Sequence, residues 1–363
     1  MRLTVEFLTL EHNGADVLYL SRSEVADCCG SLNPVAITAE TLLAHAQGDT
    51  TIPAEAYLSW ETTAGDQARS LAMPGGIHAG RRHQLGLKVI NASLGNVARG
   101  LPRSQGFTMI FDPETARPLV MMESAYISAM RTAAVTTITA QRLGRLGLTT
   151  AALLGCGTLA KAHLTLLPGL LPGLQQVRLF DLYHDRAEVL ATAVRTNPGT
   201  RGLDIVVTSG PRECVEGANL VITVTTVTES YLRLEWLEPG AVIAHVSLDD
   251  VFPDVVARAD LVLVDDWGLV SHDDRRLFGR MYRAGTLLGP GGVHCPGVIP
   301  DPEARAVDGT LGEVLLQGAR LGRRADSDVI LVNPFGMAIL DVAIGTAVYD
   351  QAIVRGLGRR LPV

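Results

Sequence analysis

Disulfides have no framework in this chain of 363 residues. Its five cysteines (Cys28, Cys29, Cys156, Cys214 and Cys295) form no C-x-x-C and no paired spacing, which fits a reducing, cytoplasmic compartment. His294-Cys295 and Cys28-Cys29 lack partners at ligand spacing, so no metal site is expected. Basic tracts are missing too. With 31 Lys and Arg against 38 Asp and Glu, the net charge of −7 argues against nucleic acid or a membrane surface as partner. No apolar run reaches the length of a membrane span. The opening MRLTVEFLTLEHNG carries acids and lacks the apolar core of a signal peptide, so a soluble protein is expected. No G-x-S-x-G or similar nucleophile signature supports hydrolase chemistry.

What is present is a chain that is 47% hydrophobic and 19% charged, enough for a sizeable core and long enough for two domains. Its most informative stretch is Leu148–Asp181. An apolar run, Ala151–Leu154, reads as a buried parallel strand and leads into Gly155-Cys156-Gly157-Thr158-Leu159-Ala160, a G-x-G-x-x-A turn opening a helix. A second apolar run, Val177–Phe180, ends on Asp181. This is the logic of a dinucleotide site. Gly155 permits the tight turn, Gly157 lets backbone approach a pyrophosphate, and Ala160 allows close helix–strand packing. Asp181 is placed to receive a ribose hydroxyl and to repel a 2′-phosphate, which favours NAD over NADP. His184 and Arg186 pull the other way.

Residues 1–16 read as a leader with a strand at Leu3–Leu10 and a turn at Asn13-Gly14. A strand at Val17–Leu20 precedes a capping-box helix at Ser21–Glu24, and a second helix covers 33–48. Residues 49–125 carry short runs broken by turns, the spacing of an antiparallel or mixed sheet. Ser124–Leu146 is helical. Strands at Ala151–Leu154, Val177–Phe180, Ile205–Val207, Leu220–Val224, Ala241–Val246 and Leu261–Val264 then alternate with helices, the pattern of a doubly wound parallel sheet. The Leu/Pro/Gly run at 164–174 reads as a helix end and turn, and the Gly/Pro-rich 285–309 as a surface loop. A helix at 310–321, a strand at 328–332 and a C-terminal helix complete the chain.

Lys88 sits inside the apolar run Leu87–Ile90, Arg131 lies mid-helix, and Arg69 precedes Leu71–Met73 on a strand. They either converge on substrate carboxylates or are a snorkelling lysine and interface salt bridges. Asp249-Asp250 follows a strand at the carboxyl edge of the nucleotide sheet, where ligands bind. A carboxylate there is either an acid/base group or a loop acid capping a helix, and Asp265-Asp266 poses the same choice.

LGLKVINASLGN, SAMRTAAVTTITAQRL, LGCGTLAKAHL and NPFGMAILDVA together resemble the ornithine cyclodeaminase/mu-crystallin family, from about Val17 onward. YLSRSEV, RSLAMP, FDPETARPL, VDDW and NPFGMAI resemble most closely its siderophore-pathway dehydrogenases that make L-2,3-diaminopropionate. The resemblance implies a homodimer acting on a small amino-acid-derived substrate. Residues 1–127 plus 331–363 would form a substrate-binding and dimerisation domain, with a Rossmann-type NAD domain of 128–330 inserted. It implies that Lys88 and Arg131 hold the substrate carboxylate, with Arg69, Met73 and Arg103 beside them, and that Asp250 is the acid/base residue. Cofactor contacts would come from Thr132, Gly155, Cys156, Gly157, Thr158, Leu159, Asp181, Arg186, Thr223, Thr225, Thr226, His245, Val246 and Ser247. Two departures stand out. A second carboxylate-binding arginine of the family would fall near Ser59, and Leu71 stands where cyclodeaminases carry a glutamate. Cyclodeaminase, imine reductase, amino-acid dehydrogenase and non-catalytic nucleotide binding all remain alternatives.

Overall fold

The computed structural model describes residues 16–80 and 83–362, so the strand and turn expected at Leu3–Leu10 and Asn13-Gly14 lie outside the described residues. Two eight-stranded sheets carry the architecture.

The first sheet is mixed. Its order runs Arg359–Pro362, Asp16–Leu20, Pro118–Glu123, Ser104–Phe111, Gln84–Ser93, Gln67–Ile77, and the last of these pairs with both Thr50–Thr51 and Ala56–Glu61. Among the described residues, only Asp16–Leu20 with Pro118–Glu123 is parallel in this sheet. One register matters most: Met73 lies opposite Lys88, and Lys88 opposite Thr108, so these side chains share a face. Ser59 lies opposite Arg69 on that same face.

Every strand pair in the second sheet is parallel. Its order is Asp204–Val207, Gln176–Phe180, Thr150–Leu154, Leu220–Thr223, Val242–His245, Ile330–Asn333, Leu261–Val264, Gly309–Thr310. The inner strands are apolar on both faces, as burial between two helix layers requires. The chain winds outward from Thr150–Leu154 on one side, then crosses to Leu220–Thr223 on the other. That reversal opens a crevice at the carboxyl ends of these two strands.

Two helices join the halves. Ser124–Leu143 leaves the first sheet and runs on small residues (Ala133, Ala134, Thr137, Ala140) that let the second sheet pack close. Ala338–Arg355 starts five residues beyond Ile330–Asn333 and packs on the first sheet.

The departures from expectation have plain causes. Ala56–Glu61 is a strand with no buried face, so no alternation marked it. Arg359–Pro362 is a charged edge strand ending on proline, which is tolerated only at an edge. The segment 285–309 is not simply a surface loop. Leu287–Leu288 pairs in parallel with Arg305–Ala306, and Leu287 and Val307 are buried in the nucleotide-side core. The helix Thr158–Leu170 runs through Pro168 rather than ending before it.

Candidate active site

The G-x-G-x-x-A turn occupies the crevice. Gly155 adopts φ +94°, and a Cβ there would come within 2.8 Å of the Val224 carbonyl oxygen, so this turn requires glycine. Gly157 is different: a Cβ on it would meet no atom within 4 Å. The space it leaves is open, at the N-cap of Thr158–Leu170, where unpaired helix N–H groups favour phosphate. Asp181 accepts from the Cys156 N–H at 2.8 Å and from the Tyr183 N–H at 2.9 Å, which fixes its carboxylate beside the turn. Thr158 and Arg186 are exposed, the latter stacked 4.2 Å over the Tyr183 ring; Leu159 and Val246 are half-buried. Thr132 gives its hydroxyl proton to the Ser128 carbonyl at 2.7 Å. Thr223 is buried with Oγ1 lacking a partner, and Thr226 is exposed beyond it. These residues can hold a dinucleotide across the crevice.

Asp250 is fully buried at the same edge, inside a cage of donors. Thr225 Oγ1 donates to it at 2.6 Å, Tyr231 Oη at 3.0 Å, and Ser247 Oγ more tightly still. His245 Nε2 receives the Asp250 N–H at 3.0 Å and stands 3.6 Å from its Oδ2. Burial pushes the Asp250 carboxyl up, but the neighbouring His245 imidazole and the hydroxyl bonds from Ser247 and Thr225 outweigh it and hold the group below the ordinary range. Tyr231 moves the other way: burial and the facing Asp250 charge raise it well above the usual phenol value, so it stays a donor. Asn333 brackets the imidazole, its Nδ2 lying 3.0 Å from His245 Nδ1 and 3.3 Å from the His245 carbonyl oxygen.

Lys88 is buried too, and its ammonium meets Asp341 Oδ2 at 2.9 Å and Ser128 Oγ at 3.4 Å. Burial pushes the Lys88 ammonium down, and Asp341 opposes that. Arg131 Nε lies 3.4 Å from the same Asp341 oxygen and has no hydrogen-bond partner; Asp341 Oδ1 has none either. The Arg131 guanidinium packs so closely on Gly336 that a Cβ there would come within 2.6 Å of it. Glu55 completes the cluster. Its Oε1 is buried without a partner, and burial raises its carboxyl against the pull of Lys88, Arg275 and Arg131. Two cations and two acids are therefore clustered, with buried valences open at Arg131 Nε, Asp341 Oδ1 and Glu55 Oε1, an arrangement that can grip a carboxylate and an amine together.

The other acids are structural. Asp249 pairs with Arg276 at 2.9 Å and Arg280 at 3.0 Å and accepts from Leu277 N–H. Asp265 accepts from Phe335 and Gly336 N–H groups, fixing the loop before the C-terminal helix. Asp266 caps Trp267–His272 and bonds His45 at 3.0 Å. Met73 is buried beside Lys88, whereas Arg69 and Arg103 stand apart from the Lys88 cluster, close enough to each other to interact. Sequence reasoning passed over Asp341, Glu55, Tyr231 and Asn333. Asp341 had a signal: it is the single charge in the apolar run Ala338–Val348, and a buried charge needs a counter-charge such as Lys88.

The chain is similar to known proteins over nearly its whole length. The chain is 31% identical over 352 residues to N-((2S)-2-amino-2-carboxyethyl)-L-glutamate dehydrogenase of Staphylococcus aureus, covering 95% of this chain and 98% of that one. Its fold matches the crystal structure of CmnK with a TM-score of 0.85 and 35% identity, covering 96% of this chain and 99% of that one. An archaeal alanine dehydrogenase dimer with bound NAD superposes with a TM-score of 0.77 at 24% identity, over 95% and 99% of the two chains. Residues 22–355, which hold the glycine-rich turn, the Asp250 cage and the Lys88–Asp341–Arg131 cluster alike, match one family model, and the chain belongs to the ornithine cyclodeaminase/mu-crystallin family.

Proposed function

We propose that this protein uses NAD to oxidise an amino-bearing carbon, and that its substrate is N-(2-amino-2-carboxyethyl)-L-glutamate, cleaved to L-2,3-diaminopropionate and 2-oxoglutarate for siderophore or antibiotic assembly. The observation that carries the reading is the pairing of an ionised, hydroxyl-caged Asp250 with a carboxylate grip at Lys88 and Arg131. The relative from Staphylococcus aureus supports the choice of substrate. The open space at Gly157, the fixed Asp181 carboxylate and the helix N-terminus fit a dinucleotide.

Bound NAD supplies the acceptor for the hydride that leaves the glutamate α-carbon. Lys88 and Arg131 hold the adjacent carboxylate and so fix which face of that carbon is presented. Asp250, charged at neutral pH, takes the proton of the secondary amine as the C=N bond forms. It returns that proton to the nitrogen and takes one from the water that adds to the carbon. It then passes this second proton to the nitrogen as the C–N bond breaks, while the hydroxyl proton lost as the 2-oxoglutarate carbonyl forms goes through the freed carboxylate to solvent. Thr225, Tyr231 and Ser247 keep the carboxylate oriented through these exchanges. Residues 1–127 with those after Asn333 would hold the substrate and residues 128–333 the cofactor; the boundary expected after residue 330 moves because Ile330–Asn333 is a strand of the parallel sheet.

The same reading makes the protein a cytoplasmic homodimer. Leu58, Trp60 and Phe107 are exposed on the sheet face opposite to Lys88, and a second copy would cover them.

Incubating the protein with N-(2-amino-2-carboxyethyl)-L-glutamate and NAD should generate NADH stoichiometrically, with 2,3-diaminopropionate detected by mass spectrometry. A flat trace from folded protein would reject the substrate. Turnover of ornithine on catalytic amounts of NAD would replace it with cyclodeaminase chemistry.

A further inference from the structure

Among the described residues, two guanidinium groups outside the Lys88 cluster have no acid to answer them. Arg69 lies on the same sheet face as Met73, four residues along the strand, and Met73 is opposite Lys88. Four residues of strand span about 13 Å, and an arginine leaning along the strand covers roughly half of that gap. Burial lowers the Arg69 pKa, then Arg276 and Arg275 lower it further, opposed by the hydrogen-bonded phenol of Tyr57. Arg103 is the second group. Burial, then Arg69 and Arg276, push it down to about 10, and its buried Nε has no hydrogen-bond partner.

The neighbouring acids are already engaged. Asp249 is shared by Arg276 and Arg280, and Asp273 pairs with Arg275. Among the described residues, no carboxylate forms an ion pair with Arg69 or Arg103. Two partly desolvated like charges held together are unfavourable until an anion joins them. Nor is the arrangement a loose surface accident. Arg69 is set by strand register, and the Arg103 carbonyl accepts the Ser93 N–H at 3.1 Å, closing the turn at the end of the neighbouring strand pair.

We infer that Arg69 and Arg103, with Arg276 at their edge, form a second anion subsite that takes a carboxylate remote from the one held at Lys88 and Arg131. The substrate class is then an amino acid derivative bearing at least two carboxylates. A diamino monocarboxylate such as ornithine leaves the pair unanswered. Arg69 bonds the Tyr57 phenol, and Tyr57 pairs with Leu71, midway from Arg69 to Met73 along the strand, a spacing that suits carboxylates separated by a short carbon chain. This inference rests on the proposed role of Lys88 and Arg131 as the first carboxylate grip.

The test is calorimetric titration of the NADH-loaded protein with L-glutamate and L-norvaline, which have equal carbon counts and differ at the distal carboxylate. Glutamate should bind about 10–100-fold more tightly, the span expected of charge-assisted hydrogen bonds. Arg103→Gln and Arg69→Gln should each shrink that preference while leaving norvaline binding intact, and Arg103→Lys should keep part of it. Equal binding of the two amino acids by the wild-type protein would overturn the subsite. So would a preference that survives both glutamine substitutions in folded protein. Turnover of the proposed substrate without any glutamate preference would sink the subsite and leave the function standing. A preference that depends on Arg103 without that turnover would do the reverse.

Discussion

At the residue scale, the site is organised by charges that cannot stand alone. Lys88 is a fully buried ammonium, tolerable only because Asp341 reaches it from the C-terminal helix. Asp341→Asn should therefore cost stability, about 3–5 kcal/mol for an orphaned buried charge, read as a lower denaturation midpoint. A paired Lys88→Met, Asp341→Leu variant should recover most of that loss yet bind no substrate. Recovery of substrate binding would refute the grip. Asp250→Asn should retain nucleotide affinity while kcat falls by about 10²–10⁴-fold, the usual worth of a positioned acid/base group. The sign of its pH dependence follows from the cage. A carboxyl held below its ordinary value stays charged as pH falls through that value, so Asp250 should contribute no acid limb to kcat/KM above about pH 4. Lys88 and Arg131 were legible because each interrupts an apolar pattern. Glu55 was not, because nothing local distinguishes an acid in TIPAEAY from a solvated one. Its environment comes from Lys88 and Arg131, distant in sequence.

At the scale of elements, the glycine-rich turn separates two roles that a single motif conceals. Gly155 is required by the fold, whereas Gly157 is required by nothing in the protein itself. Gly157→Val should change the unfolding free energy of the free protein by no more than about 0.5 kcal/mol and abolish NADH fluorescence enhancement. A large loss of stability would contradict the open space at that position. The helix that follows carries a buried histidine, His163, bonded to Thr136 of Ser124–Leu143 at 2.9 Å. Burial holds its pKa down at about 4, against an ordinary 6.5. Between these values the unfolded chain binds the extra proton, so stability should fall as pH drops from about 6.5 to about 4, by up to about 1.4 kcal/mol per pH unit. A His163→Gln variant should show a flatter midpoint over that window. The inner strands of the nucleotide sheet were readable because burial on both faces writes a continuous apolar run. Ala56–Glu61, exposed along its length, had no such record.

At the scale of the whole molecule, the first sheet has a working face and a bare one. Leu58 is 64% exposed on the bare face. Light scattering should give twice the 38.6 kDa chain mass, and Leu58→Glu should shift the population toward monomer. A wild-type monomer at micromolar concentration would remove the dimer from the proposal. The two-sheet division could be expected from the change of pattern near Ser124. That Ile330–Asn333 inserts between Val242–His245 and Leu261–Val264 could not, because a parallel run carries no mark of its neighbours.

That insertion, together with the pairing of Arg359–Pro362 on Asp16–Leu20, sets a constraint on biosynthesis. Neither sheet can be completed until residues 330–362 have left the ribosome. At about 5–20 residues per second, 363 residues keep the earliest strand waiting with an open edge for roughly 20–70 s. The order of translation and the order of assembly run against each other. A chain stopped after Asp328 would lack an inner strand of one sheet and an edge strand of the other, and should accumulate as aggregate rather than as a soluble half.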